Sequence, residues 1–265
     1  MTKQKELEKF IQDLARAAGK LTAKKFGLTV SHQMKTHKLD LVTEADLASN
    51  ALILGRIKKN FPAHGIISEE TGEYNVDAEC VWIIDPIDGT LNFSKKIALY
   101  VVLIALKKRG VLELACAYDP IHDEMYFAKR NGGAFRNGKR IRCSPQPTLI
   151  DSCGLMSDRL TKERQALTGK ILRHLKGGQA VVSSYHCAGL SGIYVADGRK
   201  DWNITSGQGH VWDYAAPFLI AAEAGCKVAG FNGEPWDFKS NKMIVANPVL
   251  YDDIVKAVGG KGAAS

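Results

Sequence analysis

The chain has 265 residues, 45% of them hydrophobic, which suits one large globular domain or two closely packed halves. No run approaches the ~20 consecutive apolar residues of a membrane helix. Six scattered cysteines with no C-x-x-C pair, and seven histidines with no H-x-x-x-H spacing, argue against a zinc site or a disulfide framework. The net charge of +8 raises nucleic acid or an anionic substrate as partners, but the lysines and arginines fall in separated pairs and read as a solvated basic surface.

The opening stretch, "MTKQKELEKFIQDLARAAGKL", mixes charges into its apolar residues where a signal peptide needs an unbroken apolar run. The expectation is a soluble, cytoplasmic protein with reduced thiols. Leu7, Phe10, Ile11, Leu14, Ala18 and Leu21 recur at helical spacing and predict a helix over 5–26. A second helix follows in "LVTEADLASNALILGRIKKNFP", with Thr43 as its cap, Leu47, Ala51, Leu54, Ile57 and Phe61 on one face, and Pro62 as its stop. Short apolar runs then alternate with turn residues: 65–67, 81–84, 98–106, 111–118 and 124–128 predict strands of a meandering sheet. From about Ser144 the pattern becomes α/β, with helices at 162–175, 188–196, from Asp213 to Gly225, and 251–258, and strands at 180–183, 226–229 and 243–246. Residues 1–265 are thus expected to form one catalytic domain, with an α+β half over 1–143 and an α/β half over 144–265.

Chemistry concentrates in "VWIIDPIDGTLNF", residues 81–93. Four apolar residues make a buried strand, and Asp85 stands at its C-terminal end, where α/β folds bind ligands. Pro86 stiffens the chain and Gly89 allows a conformation that turns Asp88 back toward Asp85. Two ionised carboxylates so close repel, which a shared proton or a cation relieves. An oxygen-only ligand set favours Mg²⁺ before Mn²⁺ or Ca²⁺. The alternative is a plain turn whose Asp side chains accept from nearby N–H groups. Further acidic residues stand at apolar-to-polar junctions: Glu69 and Glu70 in "ISEE", Asp40 and Asp46 in "DLVTEAD", Asp213 in "HVWDYAAPF". Thr90 adds a hydroxyl and a backbone N–H where a helix can begin and meet phosphate. Carboxylates, a cation and a phosphate cradle together describe metal-assisted hydrolysis of a phosphate ester.

These segments, with "GGAFRNGKRI" (132–141) and "VWDYAAPFLIAAEAG" (211–225), resemble the inositol monophosphatase family of Mg²⁺-dependent, lithium-sensitive phosphatases over nearly the whole chain. The resemblance implies a layered α-β-α-β-α sandwich assembled as a homodimer. It implies that Glu69, Asp85 and the Ile87 carbonyl hold one metal ion, and that Asp85, Asp88 and Asp213 hold a second. A third, weaker Mg²⁺ touches Glu69 through waters, making two to three ions in all. Thr90 with Asp46 activates the attacking water, with Glu70 nearby, and the N–H groups of Gly89 and Thr90 bind phosphate. Asp88, Ala188 and Ser206 line the substrate, while Lys35 and Asp40 sit beside the active-site loop. Lithium is expected to replace the ion held by Asp85, Asp88 and Asp213.

The departures concern the substrate. Where inositol-specific members carry G-[ST]-A-A, this chain has His186-Cys187-Ala188-Gly189, and an acidic residue before the W-D pair is replaced by Thr205 or Ser206. A site lacking that acceptor recognises a polyol less well. His186, His210, Trp202 and Trp212 read as structural residues, with contact to a second phosphate or a base as the alternative for the histidines, and Cys187 reads as a small packed residue. The expected activity is Mg²⁺-dependent hydrolysis of inositol monophosphate or a related small phosphate monoester. Its rivals are fructose 1,6-bisphosphatase, 3'(2'),5'-bisphosphate nucleotidase and, from another class, an RNA- or protein-binding regulator, although no RNA-recognition signature is present.

Overall fold

The computed structural model describes residues 3–28, 32–34, 41–156, 160–207 and 209–259. The first half runs α1 (Lys3–Lys25), β1 (His32–Met34), β2 (Leu41–Thr43), α2 (Glu44–Asn60), β3 (Gly65–Ser68), β4 (Gly72–Tyr74), β5 (Cys80–Asp88), α3 (Thr90–Ser94), β6 (Val101–Lys108), β7 (Val111–Asp119), β8 (Glu124–Lys129), β9 (Gly133–Arg136) and β10 (Lys139–Arg140). The second runs β11 (Cys153–Met156), α4 (Lys162–Leu175), β12 (Val181–Ser183), α5 (Ala188–Ala196), β13 (Trp202–Ile204), α6 (Val211–Glu223), β14 (Lys227–Gly230), β15 (Met243–Ala246) and α7 (Pro248–Val258).

An eight-stranded sheet in the order β10-β9-β8-β7-β6-β5-β3-β4 carries the first half. From β5 to β10 it is an antiparallel meander, as the turn residues predict, while β3 lies parallel to β5. A mixed five-stranded sheet, β12-β11-β13-β15-β14, carries the second. Alternate residues of β5 divide the interior: Trp82 and Ile84 pack with Ile11 and Leu14 of α1 and Ile53 and Ile57 of α2. Val81 and Ile83 face the opposite way, into a core shared with Leu190 of α5, Phe218 of α6 and Val245 of β15. Leu167 and Ile171 of α4 and Leu250 and Ile254 of α7 cover the outer face of the second sheet. Helix pair, sheet, helix pair, sheet, helix pair: the expected α-β-α-β-α sandwich.

Several boundaries differ from the sequence reading. β5 runs on to Asp88 instead of stopping at Ile84, and β6 starts at Val101, three residues later than read. α6 begins at Val211 and α7 at Pro248, where Asn247 caps the first turn by accepting from the Val249 and Leu250 N–H groups. The buried face of α2 is corrected too. Leu47 is 52% exposed and Ala51 is also exposed, whereas Ala45, Asp46, Ser49, Asn50, Ile53 and Ile57 are buried. Three of these are polar and each has a partner: Asp46 accepts from the Thr43 N–H (2.8 Å), Ser49 donates to the Pro86 carbonyl (3.1 Å) and Asn50 accepts from Ser68 (2.8 Å).

β11 and β13 escape the sequence reading because they are short and carry Gly154 and Asn203. Gly154 has a packing reason, since a Cβ there would fall inside the Trp202 indole. Gly154→Ala is therefore expected to cost about 1–3 kcal/mol through overpacking, read as a lowered urea midpoint with an unchanged slope.

Candidate active site

The site grows from the end of β5. Asp85 continues the series Val81, Ile83, so it points toward α5 and α6 rather than toward α1. The pairing with β6 then slips: Asp85 faces Leu103 but Asp88 faces Val101, three steps along one strand against two along the other. Such a bulge re-aims a side chain, and here it brings Asp88 to the same side as Asp85. Gly89 follows at φ +98°, where a Cβ would come 2.7 Å from the Leu99 carbonyl oxygen. Only glycine allows both that conformation and that approach.

Asp85, Asp88 and Asp213, the last from the first turn of α6, each offer an oxygen within 4.8 Å of the others. Asp85 is 1% exposed. Burial first, then the charges of Glu69, Asp88 and Asp213, push its pKa well above the carboxylate range. Glu69 follows β3, its N–H bonded to the Ile84 carbonyl at 3.2 Å, and its carboxyl hydrogen-bonds that of Asp85. Asp88 is raised to about 6 by burial, against the pull of the Cys187 thiol and the Gly189 and Ala188 N–H groups. A buried group of mutually repelling, acceptor-only oxygens fits a hard divalent cation.

Beside it stands a second unit. Asp46 accepts from Thr90 Oγ1 through Oδ1 (2.9 Å), and from the Thr43 N–H through Oδ2 (2.8 Å), which the Thr43 hydroxyl also reaches. The local cause is the helix start: Thr43 caps α2 and Asp46 returns the bond, a capping box that buries the carboxylate. Burial lifts the Asp46 pKa to about 6, opposed by its Thr43 and Thr90 hydrogen bonds. Thr90 Oγ1 lies equally close, 2.9 Å, to the Ile87 carbonyl.

These shifts have a sign. Asp46 and Asp88 hold protons in the folded chain at pH values where an unfolded Asp, near 3.9, has lost them. Their contribution to stability is complete below the unfolded pKa and is lost as pH rises through about 6. In the presence of a chelator, the expected melting temperature falls between pH 5 and pH 7, measured by calorimetry. A melting temperature rising over that interval would contradict the assignment.

The model of the Inositol monophosphatase family matches residues 3–262. The chain belongs to this family. It is 32% identical over 245 residues to the fructose-1,6-bisphosphatase/inositol-1-monophosphatase of Thermotoga maritima, covering 92% of this chain and 93% of that one. It is 36% identical over 243 residues to the Nus factor SuhB of Escherichia coli, covering 88% of each. The solved structure of the extragenic suppressor protein suhB from Bartonella henselae superposes with a TM-score of 0.88 at 28% identity, covering 96% of this chain and 98% of that one. As a member of the inositol monophosphatase family, the chain is a phosphoric monoester hydrolase.

In this inositol monophosphatase family member, the expected site residues Asp46, Glu69, Asp85, Ile87, Asp88, Gly89, Thr90 and Asp213 converge, and Ala188 joins them through its N–H to Asp88 (3.2 Å). Glu70 is half-buried just beyond Glu69. Lys35 and Asp40 lie outside the described residues. Ser206 is buried at the end of β13, and the Thr205 hydroxyl is spent on the strand beside it, donating to the Asn241 carbonyl (2.8 Å) and accepting from the Met243 N–H (2.9 Å). Trp202 is a core residue, its indole N–H donating to Ser152 (2.8 Å). Trp212 is half-buried against the core and stacks on His210 at 4.7 Å. Two participants were missed. Cys187 donates to Asp88 instead of merely packing, and Asn92 ties down the segment before it; the departure from G-[ST]-A-A was the only available signal. The Cys187 thiol is pushed well up by burial and by Asp88, which removes it as a nucleophile.

Among the described residues no helix is long and apolar enough to cross a membrane.

Proposed function

We propose that the protein is a Mg²⁺-dependent phosphatase whose preferred substrate is inositol monophosphate or a closely related polyol phosphate. The observation that carries this reading is the convergence of Glu69, Asp85, Asp88 and Asp213 beside the Thr90–Asp46 pair. Glu69, Asp85 and the Ile87 carbonyl would hold one Mg²⁺, and Asp85, Asp88 and Asp213 a second, with a third loosely attached through Glu69. Bound Mg²⁺ supplies charge neutralisation on the phosphate and makes water easier to deprotonate.

The chain's own groups do the rest. Thr90 has one hydroxyl proton and two acceptors, Asp46 and the Ile87 carbonyl. With its proton directed to Asp46, the Thr90 oxygen would accept a proton from the attacking water while passing its own to the carboxylate. The N–H groups of Gly89 and Thr90 would orient the phosphate, water adds to phosphorus as the bond from phosphorus to the ester oxygen breaks, and the departing alkoxide takes up a proton from solvent and leaves as the alcohol while inorganic phosphate forms. The same reading carries a cytoplasmic homodimer, checked by sedimentation of the purified protein.

The test is phosphate release from inositol 1-phosphate, fructose 1,6-bisphosphate and 3'-phosphoadenosine 5'-phosphate, each with Mg²⁺ and with chelator. A kcat/KM for inositol 1-phosphate at least ~10-fold above the others, abolished by chelation, is expected; ~1.4 kcal/mol of differential binding suffices. Higher turnover of a bisphosphate would move the substrate, and turnover without Mg²⁺ would overturn the mechanism. The name of the Thermotoga maritima relative keeps fructose 1,6-bisphosphate in that panel, and the name of the Escherichia coli relative favours a second reading, a regulatory partner role. Li⁺ is expected to inhibit by competing at the Asp85, Asp88 and Asp213 oxygens.

A further inference from the structure

Asn92 is 4% exposed and has no place in the chemistry. Its amide nitrogen nevertheless reaches three carbonyls: Leu99 at 2.8 Å, Tyr185 at 2.7 Å and His186 at 3.2 Å. Its backbone carbonyl accepts from the Ile97 N–H at 2.9 Å. With two N–H donors to distribute, the side chain binds a segment 93 residues away in sequence to the short helix after Gly89. Within that segment His186 takes φ +50°, in the left-handed region that non-glycine residues seldom adopt.

Directly after His186 come three donors to Asp88. The Cys187 thiol leaves its own helix uncapped and donates to Asp88 Oδ2 (3.1 Å), the Ala188 N–H donates to Oδ1 (3.2 Å), and the Gly189 N–H donates to Oδ2. Gly189 allows this approach, because a Cβ there would lie 2.8 Å from Asp88 Oδ2 and 2.7 Å from Val101 Cγ1. Both carboxylate oxygens of Asp88 are therefore aimed by the first turn of α5, and Asn92 fixes where that turn begins.

We propose that Asn92 is a positioning residue for Asp88, acting through Tyr185, His186 and Cys187. The proposal rests on the reading of Asp88 as a Mg²⁺ ligand. Outer partners that orient a metal ligand govern affinity by about 10–100-fold. Asn92→Ala leaves three part-buried carbonyls, those of Leu99, Tyr185 and His186, without this donor, frees the start of α5 to shift, and turns Asp88 away from the orientation its neighbours now enforce.

The test is Mg²⁺ binding to the full-length protein by calorimetry, with the Mg²⁺-induced rise in melting temperature as a second readout and phosphate release against Mg²⁺ concentration as a third. Asn92→Ala is expected to weaken Mg²⁺ binding by about 10–100-fold, with turnover largely recovered as Mg²⁺ is raised, and Asn92→Ser to fall between. Cys187→Ala should weaken binding, and Cys187→Ser, which keeps a donor, should recover part of that loss. Asn92→Ala and Cys187→Ala combined should lose less than the product of the single effects, because they break one chain of contacts. If Asn92→Ala and Asn92→Ser do not fold, Gly189→Ala tests the far end of the chain by displacing Asp88, and a wild-type affinity there overturns the proposal. A merely structural Asn92 would lower the melting temperature and leave Mg²⁺ affinity where it was, which overturns it too. Failure of the wild type itself to bind Mg²⁺ would instead sink the metal reading, and this inference with it.

Discussion

Asp85→Asn is expected to reduce phosphate release by at least ~10³-fold while making the metal-free protein more heat-stable than the wild type. The first effect stems from position, since Asp85 is the one carboxylate assigned to both ions. A loss of ~4 kcal/mol of charge stabilisation is ~10³ in rate. The second stems from the site without its cation. Asp85 is buried among Glu69, Asp88 and Asp213, all of which oppose its ionisation. An amide of the same shape removes the repulsion, and its Oδ1 can still accept from the Ile87 N–H, now 3.0 Å from the carboxylate. A gain on the order of 1 kcal/mol would raise the melting temperature by about 2–4 °C in a chain of this size. The protective effect of Mg²⁺ on melting should shrink in the same variant, since less of it binds. A variant that kept a tenth of its activity, or melted earlier than wild type in chelator, would contradict the bridging role. A catalytically dead Asp85→Asn that still supported the protein's cellular role would favour the regulatory reading.

The sequence displays this centre because its local chemistry is contiguous. Val81 to Ile84 announce a buried strand, Gly89 announces its end, and two carboxylates fall between, although the strand itself runs through Pro86 to Asp88. Thr43 was legible as a helix cap for the same reason, while the reciprocal bond from Asp46 three residues on is a finding of the structure. What periodicity could not show was α2's buried face. Apolar spacing selected Leu47 and Ala51, which are exposed, because it does not count a serine and an asparagine as core residues. Ser49 and Asn50 are buried only through partners on Pro86 and Ser68, 37 and 18 residues away.

The contacts around Asp88 were hidden more deeply. Cys187 looks like packing in the sequence and becomes a donor only when α5 is laid against β5. The bulge between Asp85 and Asp88 is likewise a property of pairing with β6, not of β5 alone. The residues proposed to carry the reaction lie in short motifs, whereas those that aim Asp88 depend on contacts across about 100 residues. The substrate wall has the same long-range character. Thr205, a candidate for holding a polyol, is committed to Asn241 and Met243, which leaves Ser206 to test.

Thr90→Ala separates the two candidate bases. If the Thr90–Asp46 pair takes the water's proton, removing the hydroxyl should lower kcat by about 10²–10⁴-fold with little change in KM. Thr90→Ser, which keeps the hydroxyl, should retain most of the rate. Mg²⁺ affinity should hardly move, because the Ile87 carbonyl stays in place and loses only a competing donor at 2.9 Å. Asp46 should also titrate higher in Thr90→Ala, since the Thr90 hydrogen bond is one of those now lowering its pKa from the position burial would give it. If instead Glu70 acted as the base, Glu70→Gln would carry the large loss and Thr90→Ala would cost less than about tenfold. The geometry favours the first outcome. Asp46 is held by the Thr43 N–H, the Thr43 hydroxyl and Thr90 at once, so it is oriented before substrate arrives.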